Sequence, residues 1–271
     1  MLDSRGVETS VTFEQTVLLS AFAGVTIFLG LPVGRLRNLS SRAQAMLTAA
    51  AAGVILFLIW DILSQAIAPV ETALEAAKAG DGPMADVWLD AIALVGSLAV
   101  GLLLLVWVMR RARNTSAGGS ITPHKLALGT ALGLGLHNLS EGLAIGNSAA
   151  TGETSLALVL VIGFALHNAT EGFGIAAPLA SGTRPTWGFL ALLGVIGGGP
   201  TFIGGVIGYS LTAPLLSIVF LGLAAGALIF VFNEMIAVSR RFAQPMSANG
   251  ALLLGLIVAL GTDLLLVAAG A

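Results

Sequence analysis

The 271-residue chain contains no cysteine. Disulfides, iron–sulfur clusters and thiolate metal sites are therefore excluded. Charge is nearly as scarce. Only 10% of residues are Asp, Glu, Lys or Arg, against roughly a quarter in an ordinary globular domain. A soluble fold of this size could not cover its surface with so few charges. Net charge is only −2, and no basic tract points to a nucleic-acid partner. What fills the chain instead is apolar: 56% hydrophobic residues, 35 glycines and a mean hydropathy of +0.97. That excludes disorder and places the chain in lipid.

Apolar stretches of about 17–25 residues cross a bilayer as helices. Eight are expected, near 14–34, 43–67, 87–109, 124–148, 154–180, 187–209, 213–238 and 249–269. They make a single all-α transmembrane domain over 1–271. With both termini outside, the loops 35–42, 110–125, 181–186 and 239–248 are cytoplasmic. They hold Arg35, Arg37, Arg42, Arg110, Arg111, Arg113, Lys125, Arg184, Arg240 and Arg241, leaving only Arg5 and Lys78 outside. This distribution follows the positive-inside rule. Asp3, Glu8, Glu14, Glu71, Glu75, Asp81, Asp86, Asp90 and Glu153 fall on the outer side. Asp61, Glu141, Glu171, Glu234 and Asp263 remain within spans. Ionisable groups at membrane depth are costly, so each is a functional candidate.

Two internal echoes organise these residues. The fourth span carries His137-Asn138-Leu139-Ser140-Glu141-Gly142, and the fifth carries His167-Asn168-Ala169-Thr170-Glu171-Gly172. At 100° per residue, His, Asn and Glu of each motif share one helix face. The two helices run oppositely. His137 lies about 18 Å along its helix from Lys125, and His167 about 21 Å along its helix from Glu153. Both motifs thus sit near mid-membrane. Two imidazoles, two carboxylates and two amide oxygens suit Zn²⁺, Mn²⁺, Fe²⁺ or Co²⁺. The expected metal ligands are His137, Asn138, Glu141, His167, Asn168 and Glu171. The chain has only three histidines. His124, at the cytoplasmic start of span four, is read as an interfacial residue.

The longer-range echo is Ala51-Ala52-Gly53, Phe57, Asp61 in span two and Ala224-Ala225-Gly226, Phe230, Glu234 in span seven, offset by 173. Because spans two and seven run oppositely, an inverted repeat follows, with spans 1–3 and 6–8 as arms and spans 4 and 5 between them. Asp61 falls near the outer mouth and Glu234 near the inner mouth. They are either relay ligands or helix-end charges reaching the interface. Asp263 has no echo, and a structural hydrogen bond is the favoured reading.

The doubled His-Asn-x-x-Glu-Gly motif, in spans four and five of eight, resembles the Zrt/Irt-like (ZIP) family of divalent-metal transporters over the whole chain. The resemblance implies a 3+2+3 bundle with inverted symmetry and a metal centre between spans four and five. It implies inward transport of Zn²⁺, and often of Fe²⁺, Mn²⁺ or Cd²⁺. It also implies alternating access by an elevator-like shift of spans one, four, five and six. The chain departs from the family pattern. Ser140 and Thr170 stand where Pro is common, and are expected to bend their helices by bonding back to i−4 carbonyls. Gly199 stands where many members have a Glu that completes a second metal site, so one strong site is expected. The loop after span three is Arg-rich rather than His-rich.

The expected function is therefore divalent-metal transport, zinc first, with the metal as cargo and no prosthetic group. No catalytic residue is assigned, and the chain is not expected to be an enzyme. The alternative is an intramembrane zinc-dependent hydrolase. It is disfavoured because His-Glu-x-x-His is absent and there is no third deep histidine. The expected setting is the plasma (inner) membrane with both termini extracytoplasmic. The expected partners are metal ions and the lipid bilayer, with no nucleic acid, and a homodimer is left open.

Overall fold

The computed structural model describes residues 11–37, 39–114, 121–152, 154–181, 183–211 and 214–269. Asp3, Arg5, Glu8 and Glu153, counted above on the outer side, lie outside them. Among the described residues there is no strand. The helices are α1 (Phe13–Val25), α2 (Ser41–Ala79), α3 (Met84–Asn114), α4 (Pro123–Ala150), α5 (Thr154–Ala176), α6 (Trp187–Ser210), α7 (Pro214–Phe242) and α8 (Pro245–Ala269).

Local chemistry sets several ends. Thr12 and Gln15 form a capping box on α1, and the side chains of Ser40, Thr122 and Thr186 cap α2, α4 and α6. Each satisfies a backbone N–H that has no intrahelical partner. Gly80, at φ 83°, closes α2 in the left-handed region where glycine carries no Cβ penalty.

In two spans the helical structure differs in extent or form from a plain α-helix over the apolar stretch. The first span is not one continuous α-helix. After Val25 it tightens into 3₁₀ turns at Thr26–Leu29 and Leu31–Arg35. Pro32, which has no N–H to donate, lies in the second turn. The apolar stretch of the second span ends near 67. The helix α2 itself runs through Pro69 to Ala79. Its last turns are rich in Ala, Glu and Lys, strong helix formers that carry the helix beyond its apolar part.

Among the described residues, six helices are long and apolar enough to cross a membrane: α1 with its 3₁₀ extension, α2, α3, α6, α7 and α8. The protein is a multi-pass membrane protein. α4 and α5 carry the polar motifs and are not among the six. At 28 and 23 residues they are still long enough, since each exceeds a core of about 30 Å at about 1.5 Å per residue. The bundle's exterior is apolar. On α3, Trp88, Ile92, Val95 and Leu103 are each over 60% exposed. A soluble protein rarely displays such a face, whereas lipid covers it without cost.

Inside, Ile55, Leu58 and Ile62 of α2 pack with Leu134 of α4, Ile175 of α5 and Leu228 of α7 in one core. α4 packs most extensively on α6, α3 on α7, and α2 on both α7 and α8. The helices that carry the motifs are held by backbone-close contacts. A methyl on Gly142 would run into the Thr201 carbonyl of α6, and one on Gly172 into the Ile27 carbonyl after α1. Both glycines end the His-Asn-x-x-Glu-Gly motif, so it fixes its own helix against a neighbour.

Candidate metal centre

α4 and α5 bring the two motifs face to face. His137, Glu141, His167 and Glu171 each offer a ligand atom, and the four atoms lie within 4.8 Å of one another. His137 Nε2 is 3.4 Å from Glu141 Oε1 and 3.8 Å from Glu171 Oε1. His167 Nε2 is 3.8 Å from that same Glu171 oxygen. Glu171 therefore bridges both imidazoles. Four ligands about 2.0–2.1 Å from a zinc ion stand about 3.4 Å apart at tetrahedral angles. The cluster is wider than that, its four atoms lying within 4.8 Å of one another.

The environment fits a cation. All four residues are at most 4% exposed. His137 Nε2, His167 Nε2, Glu141 Oε2 and Glu171 Oε1 are buried without hydrogen-bond partners. Buried carboxylates and imidazoles are normally paired or coordinated. Two Glu side chains and two His side chains with free ligand atoms match the donor set of a divalent transition metal.

Asn138 and Asn168 sit at the same place and use their amide nitrogens as donors. Asn138 Nδ2 donates to Glu171 Oε2 at 2.8 Å and to the Gly197 carbonyl of α6 at 3.0 Å. Asn168 Nδ2 donates to the Ala23 carbonyl of α1 at 3.0 Å. Both amide oxygens are buried without a partner. The amides thus tie each motif helix to a neighbour and leave the oxygen available. These carbonyl partners carry no sequence signal, because any residue supplies one.

The motif hydroxyls differ from expectation. Thr170 Oγ1 donates to the His167 carbonyl, three residues back rather than four. Ser140 Oγ has no hydrogen-bond partner. The expected back-bonding thus occurs in one helix only, with i−3 geometry.

Asp61 and Glu234 are not drawn into the cluster. Asp61 is half-buried on α2 and accepts a hydrogen bond from Gln65 at 2.8 Å. One turn before it, Phe57 lies 6.4 Å from the His167 ring between centroids. Asp61 thus stands one turn beyond an aromatic that flanks the site. Gln65, at i+4 from Asp61, was missed in the sequence, although that spacing places both on one face. Glu234 is half-buried on α7. Asp263 of α8 is half-buried. His124 packs on Phe189 of α6, with ring centroids 5.0 Å apart. Gly199 faces open space, where an added Cβ would meet only Val195 of its own helix.

The basic residues gather at one end of the bundle. Arg35 donates to the Pro185 carbonyl and stacks 4.4 Å over Trp187, tying the end of the first span to the start of α6. Arg42 donates to Ser247 at 2.7 Å, joining the starts of α2 and α8. Arg240 and Arg241 close α7 immediately before α8.

Compared with known protein families and curated proteins, the chain matches no family model and no curated sequence.

Proposed function

We propose that this protein is a transporter of divalent transition-metal ions, with zinc the first candidate, working by alternating access in the manner of the ZIP family. The observation that carries the reading is the buried cluster of His137, Glu141, His167 and Glu171, built from two copies of one motif on neighbouring helices. The metal is cargo, bound by these four side chains and assisted by the free amide oxygens of Asn138 and Asn168. No reaction is catalysed. All eight helices span, both termini lie outside, and the Arg-rich end faces the cytoplasm. Asp61 serves the outer approach and Glu234 the inner exit.

An inverted 3+2+3 repeat is supported by matched contacts. Gly53 of α2 abuts Leu252 of α8, and Gly226 of α7 abuts Leu98 of α3. Gly255 abuts Ala50, and Gly101 abuts Leu223. Gly24 of α1 and Gly198 of α6 abut each other. Asn138 holds Gly197 while Asn168 holds Ala23, the residues just before that glycine pair. Each contact becomes its counterpart when α1, α2, α3 and α4 are exchanged with α6, α7, α8 and α5. Such exchange between oppositely directed segments underlies alternating access around a midplane site.

The test is uptake of radioactive zinc into proteoliposomes of defined orientation. Glu141→Ala and Glu171→Ala are expected to abolish saturable uptake while the protein still purifies as a folded species. Wild-type uptake by either variant would refute the site.

A further inference from the structure

The end of the bundle where the basic residues gather contains a second feature, distinct from the metal centre. α7 and α8 scarcely touch along their length, and a crevice of about 610 Å³ opens between them, floored by Ala49 of α2. Its size is that of a small-molecule site. Its lining is graded along the helices. Ser239, Arg240 and Asn249 lie nearer the α7–α8 junction, and Phe232 and Leu252 lie farther from it along their helices. Among the described residues that line it, Arg240 is the only charged one, and none carries a carboxylate. Ser239 is 1% exposed, and its hydroxyl has no hydrogen-bond partner.

A cationic lining does not suit the exit of a metal ion. A guanidinium, a buried hydroxyl and a side-chain amide are donors for phosphate oxygens. The apolar depth between two membrane-crossing helices would receive acyl chain. Basic pockets between spans on the cytoplasmic side are where anionic headgroups bind. The geometry points to a binding site for one anionic phospholipid, its phosphate on Arg240 and Ser239 and its chain along Phe232 and Leu252. The inference rests on the membrane placement of α7 and α8, not on the cargo.

The test titrates purified full-length protein in neutral detergent with phosphatidylglycerol, phosphatidylcholine or inorganic phosphate, counting bound lipid by native mass spectrometry. One phosphatidylglycerol is expected to bind at least roughly fivefold more tightly than phosphatidylcholine. Arg240→Gln should weaken it roughly fivefold or more, Ser239→Ala should weaken it less, and Arg240→Lys should retain part of the affinity. Arg111→Gln removes an arginine that stacks on Trp107 outside the crevice, and it should leave binding unchanged. Three results would overturn the site: equal binding of phosphatidylcholine, an equal loss in Arg111→Gln, or wild-type binding in both Arg240→Gln and Ser239→Ala. Displacement of the lipid by equimolar inorganic phosphate would also overturn it, by showing a site for free phosphate.

Discussion

Asn138 and Asn168 do two jobs with one amide each. The nitrogen holds a neighbouring helix through a backbone carbonyl, and the oxygen is left for the site. These jobs separate experimentally. Asn168→Ala would leave the Ala23 carbonyl buried without its donor. Interhelical hydrogen bonds in membranes contribute about 0.6–2 kcal/mol, so Asn168→Ala and Asn138→Ala should each lower stability by about 1 kcal/mol, read as a fall in melting temperature in detergent. Asn138→Ala should cost more, since it also releases Glu171. No destabilisation in either variant would mean that the amides do not clamp the helices. The His and Glu positions were legible because i,i+4 spacing fixes a shared face. The amide's orientation was not, because it depends on carbonyls of α1 and α6 that are remote in sequence.

At the scale of elements, the glycine contacts together with the packing of α2 on α7 sort the helices into two sets. Contacts too close for any side chain join α1, α4, α5 and α6 to one another, and separately join α2 to α8 and α3 to α7. Between the sets, glycines meet side chains instead. Gly133 of α4 faces Ala227 and Leu228 of α7, and Gly174 of α5 faces Ile55 of α2 at ordinary van der Waals distance. Backbone-to-backbone contacts cannot yield to an added methyl, whereas side chains can repack. Gly142→Ala and Gly172→Ala should therefore cost about 1–3 kcal/mol, while Gly174→Ala should be near neutral. Chemical or thermal unfolding of the three variants in one detergent decides this, and equal effects would sink the distinction. The Ala-Ala-Gly echo of α2 and α7 was readable in the sequence. Its complement was not. Leu98, Gly101 and Leu102 of α3 match Leu252, Gly255 and Leu256 of α8, but leucine and glycine are too common in this chain to mark a repeat. Only their paired contacts with Gly226 and Gly53 expose it.

For the whole molecule, the absence of cysteine becomes an experimental asset, because any introduced thiol is the only one. Single cysteines at Arg111 and Asp86, near opposite ends of α3, should label from opposite sides of the membrane. Arg111→Cys should react with an impermeant maleimide only after the cytoplasmic face is opened. The reverse pattern would invert the proposed topology. The division into two helix sets makes a stronger demand on motion. If α1, α4, α5 and α6 carry the metal centre past α2, α3, α7 and α8, the boundary between the sets must slide. Gly133 and Ala227 face each other across that boundary, with a Cβ built on Gly133 lying 3.3 Å from Ala227 Cβ. Disulfides typically have Cβ atoms about 3.5–4.5 Å apart, so Gly133→Cys with Ala227→Cys should cross-link after slight separation. Zinc uptake should then fall to background on oxidation and return on reduction. A control pair at Ala76, in the last turns of α2, and Gly82, in the turn that follows it, 3.4 Å apart by the same measure, should cross-link without affecting uptake. Full transport with the boundary pair oxidised would exclude sliding between the sets, while leaving the metal centre itself to be judged by Glu141 and Glu171.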